Sequence, residues 1–165
     1  MFDNMTRYLT AIASEKERWN LRKILLPLVD RYSTQPLVSA GLVISSTTTL
    51  AKIGAVDFYA SVKGILVKIA AGTDMPALTG LNITAGSYNV ICFFVDSAGA
   101  VTVAMGTEGT TLAKVVFPPF TENKALIGFL SIYYASTFTG GSTALNTATT
   151  AYISPVGPFD PSVLI

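Results

Sequence analysis

Two carboxylates, Asp96 and Glu108, form the pair in this 165-residue sequence that comes nearest to a catalytic arrangement. Two carboxyl groups about 5 to 9 Å apart can hydrolyse a glycosidic bond. Asp96, however, opens the sequence Asp96-Ser97-Ala98-Gly99, where an Asp side chain typically accepts hydrogen bonds from the backbone of a turn. Glu108 follows in a polar loop. We therefore expect one turn residue and one solvated loop residue rather than an acid–base pair.

The other reactive side chains lack the partners that their chemistry needs. Cys92, the single cysteine, lies in an apolar run and is predicted to be a buried small hydrophobic residue. The chain contains no histidine, so the commonest general base and metal ligand is missing. No nucleophile-elbow or P-loop motif occurs. The sequence predicts no catalytic residue, no metal site, no cofactor and no enzymatic activity.

Charge and hydropathy exclude two classes of partner. Lys and Arg total 11 and Asp and Glu total 10, giving a net charge of +1. A nucleic-acid surface needs clustered cations, so no nucleic-acid partner is predicted. The long uncharged stretches are broken by Gly, Pro, Ser, Thr and Asn, which argues against a membrane-spanning helix and a membrane partner. Because the N-terminus lacks the pattern of a secretion signal, we expect synthesis in the cytoplasm.

The elements fall into two regions that differ in charge. Residues 1–36 carry six of the 11 cations and four of the 10 anions. Apolar residues at helical spacing, including Leu21, Leu25 and Leu28, predict an N-terminal helical arm over 1–36. The arm either packs on its own domain or docks onto another chain. In the second case the residues predicted to contact the partner are Tyr8, Trp19, Leu21, Ile24, Leu25 and Leu28.

Residues 37–165 are predicted to form a β-domain. The clearest signals are two hairpins, one turning at Lys63-Gly64 and one at Asp96-Ser97-Ala98-Gly99. Further strands are expected over 112–117 and 124–134, with a bulge at Gly128, and weaker ones over 37–44 and 48–53. Residues 136–151 are expected to be a long loop or an edge segment ordered by a neighbour, and the Pro-rich tail to be extended. The fold class is mainly β, an antiparallel sandwich or barrel-like domain preceded by the helical arm.

The C-terminal quarter is almost uncharged. Residues 125–165 contain one charge, Asp160. Interfaces of obligate oligomers are depleted of charge and enriched in apolar area. The composition therefore predicts a symmetric homo-oligomer or a subunit embedded in a larger shell.

Several stretches of this β-domain carry a resemblance. They are Ala85–Val90, Val95–Val101, Ala104–Gly109, Val115–Pro119, Asn123–Phe129 and Gly140–Leu145. Over residues 80–150 the chain resembles small virion structural proteins of tailed bacteriophages, of the capsid decoration (cement) or head-fibre kind. The resemblance implies a β-rich homotrimer on the surface of the phage head. It also implies that the chain binds the major capsid protein and stabilises the assembled head.

A second interpretation stays open. The chain is alternatively a receptor- or glycan-binding module of a head fibre, tail fibre or baseplate, in which exposed Tyr residues and Thr-rich loops would bind the sugar. Most strand aromatics are nevertheless expected in the core. These are Phe58, Phe93, Phe94, Phe117, Phe129 and Tyr133.

Overall fold

A computed structural model describes residues 19–23, 25, 32–121 and 123–159. Residues 19–23, 25 and 32–33 are helical, a 3-10 turn spans Leu112–Lys114, and a single α-helical turn spans Leu145–Ala148. The strands are β1 (Gln35–Pro36), β2 (Val43–Ile44), β3 (Ala51–Lys52), β4 (Phe58–Val62), β5 (Ile65–Ile69), β6 (Asn82–Ile83), β7 (Tyr88–Asp96), β8 (Val101–Met105), β9 (Lys124–Tyr133), β10 (Phe138–Thr139) and β11 (Thr149–Ile153).

The strands form open antiparallel sheets. A four-stranded sheet has the order β11-β9-β7-β8, and a three-stranded sheet has the order β1-β4-β5. Two short ribbons, β2-β3 and β10-β6, complete the domain. The predicted mainly β fold is confirmed, and the sheets do not close into a barrel.

Both predicted hairpins are present because their turn chemistry is local. Lys63 and Gly64 join β4 to β5 with φ values of 50° and 79°, which is the pattern of a type I′ turn. At the β7–β8 turn, one oxygen of the Asp96 carboxylate accepts the N–H groups of Ala98 and Ala100 at 2.9 Å each. Gly99 closes that turn with a φ of 82°.

The four-stranded sheet is buried on both faces. On one face, Ile91, Phe93 and Val95 of β7 pack in a core that includes β4 and β5 of the three-stranded sheet. On the other face, Val90, Cys92 and Phe94 pack against Val115. Phe94 also belongs to an aromatic cluster on this face, which consists of Phe94, Phe117, Phe120, Phe129 and Phe159. A strand that is buried on both sides is apolar throughout, as β7 is.

The predicted bulge in β9 is confirmed beside Gly128. Phe93 faces Gly128 and Phe94 faces Leu126, so Ile127 is the additional residue. A Cβ at position 128 would lie 2.5 Å from the carbonyl oxygen of Ile153, which leaves room only for glycine. The bulge switches the strand parity, so that Ile127 and Leu130 face the same core.

Two sequence predictions are wrong. Residues 112–117 form the 3-10 turn and one isolated bridge, between Val116 and Thr107, rather than a strand. The predicted strand is instead a segment that packs on the sheet, in which Val115 is buried while Leu112 and Val116 are exposed.

The second wrong prediction concerns residues 136–151, which are ordered by their own chain rather than by a neighbour. Phe138, Leu145 and Ala148 are buried in the main core. Part of the low charge of the C-terminal region is therefore explained by burial within the domain.

Candidate interaction surfaces

Asp96 and Glu108 lie at opposite ends of β7. Asp96 closes the hairpin, whereas Glu108 precedes Gly109, whose backbone pairs with Tyr88 at the start of the strand. A strand of nine residues spans roughly 25 Å. The carboxylate of Glu108 accepts the backbone N–H of Thr84 at 3.0 Å. Each carboxylate holds local structure, and the two cannot act on one substrate bond.

The acidic side chains of residues 37–121 are all engaged in hydrogen bonds of the domain itself. Besides Asp96 and Glu108, the Asp74 carboxylate accepts the Ser45 hydroxyl at 2.6 Å. The Asp57 carboxylate accepts the Ala71 N–H at 2.8 Å and lies 2.7 Å from the Lys68 ammonium. The Lys68 hydrogen bond, then that of Ala71, lowers the pKa of Asp57.

Reactive groups other than these carboxylates are few in the part of the chain that the structure describes. Cys92 is fully buried, as predicted, and desolvation raises the pKa of its thiol. Among these residues no three His, Cys, Asp or Glu side chains come together as a metal site, and no helix is long and apolar enough to cross a membrane. Two cavities of about 80 and 150 Å³ flank the sheet and are smaller than ordinary ligand pockets.

The predicted partner-contact residues are described only in part. The Trp19 side chain is 60% exposed, and the Lys23 ammonium lies 4.2 Å from the centre of its ring. Leu21 and Leu25 are partly exposed on the same helical segment. Tyr8, Ile24 and Leu28 lie outside the described residues. The contact role of all six stays a prediction.

Ser33 and Thr34, which precede β1, are hydrogen-bonded to the β4–β5 hairpin. The carbonyl of Ser33 accepts the Gly64 N–H at 3.1 Å and the Ser61 hydroxyl at 2.8 Å. The Thr34 hydroxyl accepts the Lys63 N–H at 3.1 Å. The chain then enters β1, which pairs with β4. The point where the predicted arm leaves the domain is therefore held firmly, and β1 begins two residues before the predicted boundary at residue 37.

The outer face of the three-stranded sheet exposes two leucines near this junction. We define it as Gln35, Leu37, Tyr59, Ser61, Leu66 and Lys68, which lie on the side of the sheet opposite the buried Phe58, Ala60, Val67 and Ile69. Leu66 is 65% exposed and Leu37 is 45% exposed. The charge on this face, Lys68, is paired with Asp57. The outer face thus offers exposed leucines to a partner without an unpaired charge.

Sequence reasoning missed Leu66, although a signal was present. Within Ile65–Ile69, alternation from Lys68 places Leu66 on the solvent side of the hairpin. Leu66 therefore shares the solvent side with Lys68, and a large apolar side chain at such a position indicates a site for interaction.

The aromatic predictions are correct for the core and wrong at one position. Phe58, Phe93, Phe94 and Phe129 are buried and Phe117 is partly buried, but Tyr133 is 37% exposed. It lies at the end of β9, opposite Tyr88, and the two rings stack at 4.5 Å with an interplanar angle of 28°. β11 pairs with β9 only as far as Ile132, so Tyr133 lies one residue beyond that pairing and its ring stays partly exposed.

Comparisons with protein families, with curated proteins and with solved structures found no match for this chain.

Proposed function

We propose that this chain is a virion structural protein, a capsid decoration subunit that binds the assembled phage head and stabilises it. The observation that carries the proposal is the outer face, which exposes Leu37 and Leu66 beside Ser33 and Thr34, the residues that precede β1. The acids of residues 37–121 hold turns and loops, which leaves a surface suited to binding rather than to acid–base chemistry.

The mechanism is burial of surface on an ordered lattice. A subunit that binds the assembled shell, and not its free subunits, stabilises the shell by mass action. The major capsid protein is the proposed partner, and the proposed decoration subunit is a homotrimer, so that several weak contacts act together. The outer face lies beside Ser33 and Thr34, whose hydrogen bonds to the β4–β5 hairpin fix the point where the predicted arm meets the β-domain.

Binding to phage heads that lack the chain tests the proposal. The double substitution Leu37→Ser and Leu66→Ser should weaken binding while leaving the fold intact, because both side chains are exposed. Covering the exposed part of one leucine is worth about 1 to 2 kcal/mol, or about 5- to 30-fold in affinity per residue. Deletion of residues 1–30 should abolish binding.

The matched control is Val116→Ser. Val116 is 60% exposed but lies on the segment that covers the other face of the four-stranded sheet. If the control weakens binding as much as the double variant does, the outer face is not the contact. Undiminished binding after removal of residues 1–30 would contradict the role of the arm.

One observation favours the second function, a glycan-binding module. The stacked Tyr88 and Tyr133 rings form an exposed aromatic surface, and the Glu108 loop lies next to Tyr88. Aromatic faces of this kind can stack on sugar rings. A glycan array with the intact chain and with Tyr133→Ala distinguishes the two: a specific signal that this substitution abolishes would favour glycan binding, and no signal would favour the decoration role.

A further inference from the structure

β8 is an edge strand within the part of the chain that the structure describes. Among those residues it pairs with β7 on one side and with no strand on the other, and an isolated bridge between Thr107 and Val116 occupies the outer edge only two residues beyond Met105. Gly106 N–H donates to Val90 and Asp96 N–H donates to Ala100, so Thr102 and Ala104 occupy the hydrogen-bonded positions of the ladder.

It follows that the backbone groups of three residues, Val101, Val103 and Met105, point away from β7. In the part of the chain that the structure describes, no backbone or side-chain group bonds to these N–H and C=O groups. The free edge therefore presents three donors and three acceptors in a row.

The other edges of the two main sheets carry the features that prevent strands from pairing. β1 contains Pro36, whose carbonyl already accepts the Gly157 N–H. β5 contains Lys68, and β11 is interrupted by a register shift between Thr149 and Ala151. Charges, prolines and bulges are the usual means of blocking an exposed edge.

β8 has none of these features. Its sequence, Val-Thr-Val-Ala-Met, is uncharged and lacks proline, and its register with β7 is continuous over five residue pairs. Its five side chains are partly exposed. An uncharged, regular, half-exposed edge is a template for an added strand.

The free edge is complementary to itself. If a second copy pairs antiparallel with Val103 opposite Val103, then Val101 faces Met105 of the other copy. The three outward N–H and three outward C=O groups of each strand are then all bonded. Each of the three opposing residue pairs makes two hydrogen bonds, six in total. Because β8 has no charged residue, the pairing brings no like charges together, and a shift by two residues would lose two of the six bonds.

We propose that β8 pairs with β8 of a second copy about a two-fold axis at Val103, which joins two four-stranded sheets into one sheet of eight strands. This inference goes beyond the proposed function and does not depend on it. A two-fold contact joins two copies, and in a trimeric subunit it links one trimer to the next. A contact of single strands is smaller than a standard protein interface, so the association is weak and depends on concentration.

Cysteine cross-linking tests the register. The Val103→Cys variant should form a disulfide-linked dimer on oxidation at high protein concentration, because hydrogen-bonded antiparallel residues lie about 5.5 Å apart between Cα atoms, within the range of a disulfide. Val101→Cys is the matched control: two copies of residue 101 would be offset by four residues, roughly 13 Å, and should not cross-link. A mixture of Val101→Cys and Met105→Cys should yield the mixed dimer.

The outcomes on a non-reducing gel are decisive. The native Cys92 is buried, and the unsubstituted chain shows its background. Cross-linking of Val103→Cys and of the mixture, but not of Val101→Cys alone, supports the proposed register. Equal cross-linking of Val101→Cys and Val103→Cys, or none in any sample, would overturn it.

A proline substitution gives a second measurement. Val103→Pro removes an outward N–H and leaves the bonds to β7 intact, so it should lower the association constant at least tenfold in sedimentation with little change in the unfolding temperature. Thr102→Pro removes an inward N–H and should lower the unfolding temperature. If Val103→Pro is also unfolded, the N–H of residue 103 points inward, and the proposal is wrong.

Discussion

Phe159 tests whether the C-terminal tail covers the four-stranded sheet. Its ring is partly buried and makes contacts at centroid distances of 5.8, 5.8 and 5.6 Å with Phe117, Phe120 and Phe129. The Phe159→Ala substitution removes these three contacts and exposes the aromatic cluster to water. The hairpins and both main sheets should remain, because the hydrogen bonds between their strands do not involve Phe159.

The expected loss of stability follows from the burial. Burying a whole phenylalanine side chain contributes about 1.5 to 3 kcal/mol, and Phe159 is buried over most of its surface. Ring pairs of this geometry add about 0.5 to 1.5 kcal/mol each and are not additive. We therefore expect the free energy of unfolding to fall by about 2 to 3 kcal/mol and the unfolding temperature by roughly 4 to 12 °C.

Urea unfolding, followed by tryptophan fluorescence and circular dichroism, measures this loss. Val156→Ala is the matched control in the same tail, because its side chain is 57% exposed and should change the free energy by less than about 0.5 kcal/mol. A loss below about 0.5 kcal/mol for Phe159→Ala would refute the conclusion that the tail closes the second face.

Three further predictions concern single side chains. Asp96→Ala should cost about 1 to 2 kcal/mol because two backbone N–H groups lose their acceptor, whereas Ser97→Ala in the same turn should be neutral; chemical denaturation measures both. Because Lys68 lowers the pKa of Asp57 from 3.8, the stabilisation by this pair is complete above that pH and is lost as the pH falls through the lower folded-state pKa, so the unfolding temperatures of the parent and Asp57→Asn should converge in acid. Cys92 should react with a thiol reagent no faster than the chain unfolds, and rapid labelling of the native protein would contradict its burial.

The two hairpins were predictable because their causes are local. The residues Lys63-Gly64 and Asp96 to Gly99 favour a turn by themselves. The two strands that flank each turn are therefore brought together by local sequence alone. The burial of Cys92 and Phe93 was predictable because both lie in the continuous apolar run 90–95. A run of this length is too short to span a membrane and is typical of a buried strand.

The prediction over 112–117 failed because apolar residues in a short segment indicate that it can pack on the domain, but not whether a second strand lies alongside. Val115 is buried by packing on the sheet, and its neighbours have no continuous partner strand. The exposure of Tyr133 could not be predicted from the sequence either, since it depends on β11, a strand distant in sequence, pairing with β9 only as far as Ile132.

The amino-acid sequence by itself determined the fold class, the turns and the scarcity of reactive groups, because composition and local turn chemistry act over a few residues. The tertiary structure decided which surfaces are free: it assigned the acids to turns and loops and, within the described residues, left one edge of β8 without a partner strand. The physical reason is that exposure is a property of the packed chain, in which each residue's surroundings come from segments far away in sequence.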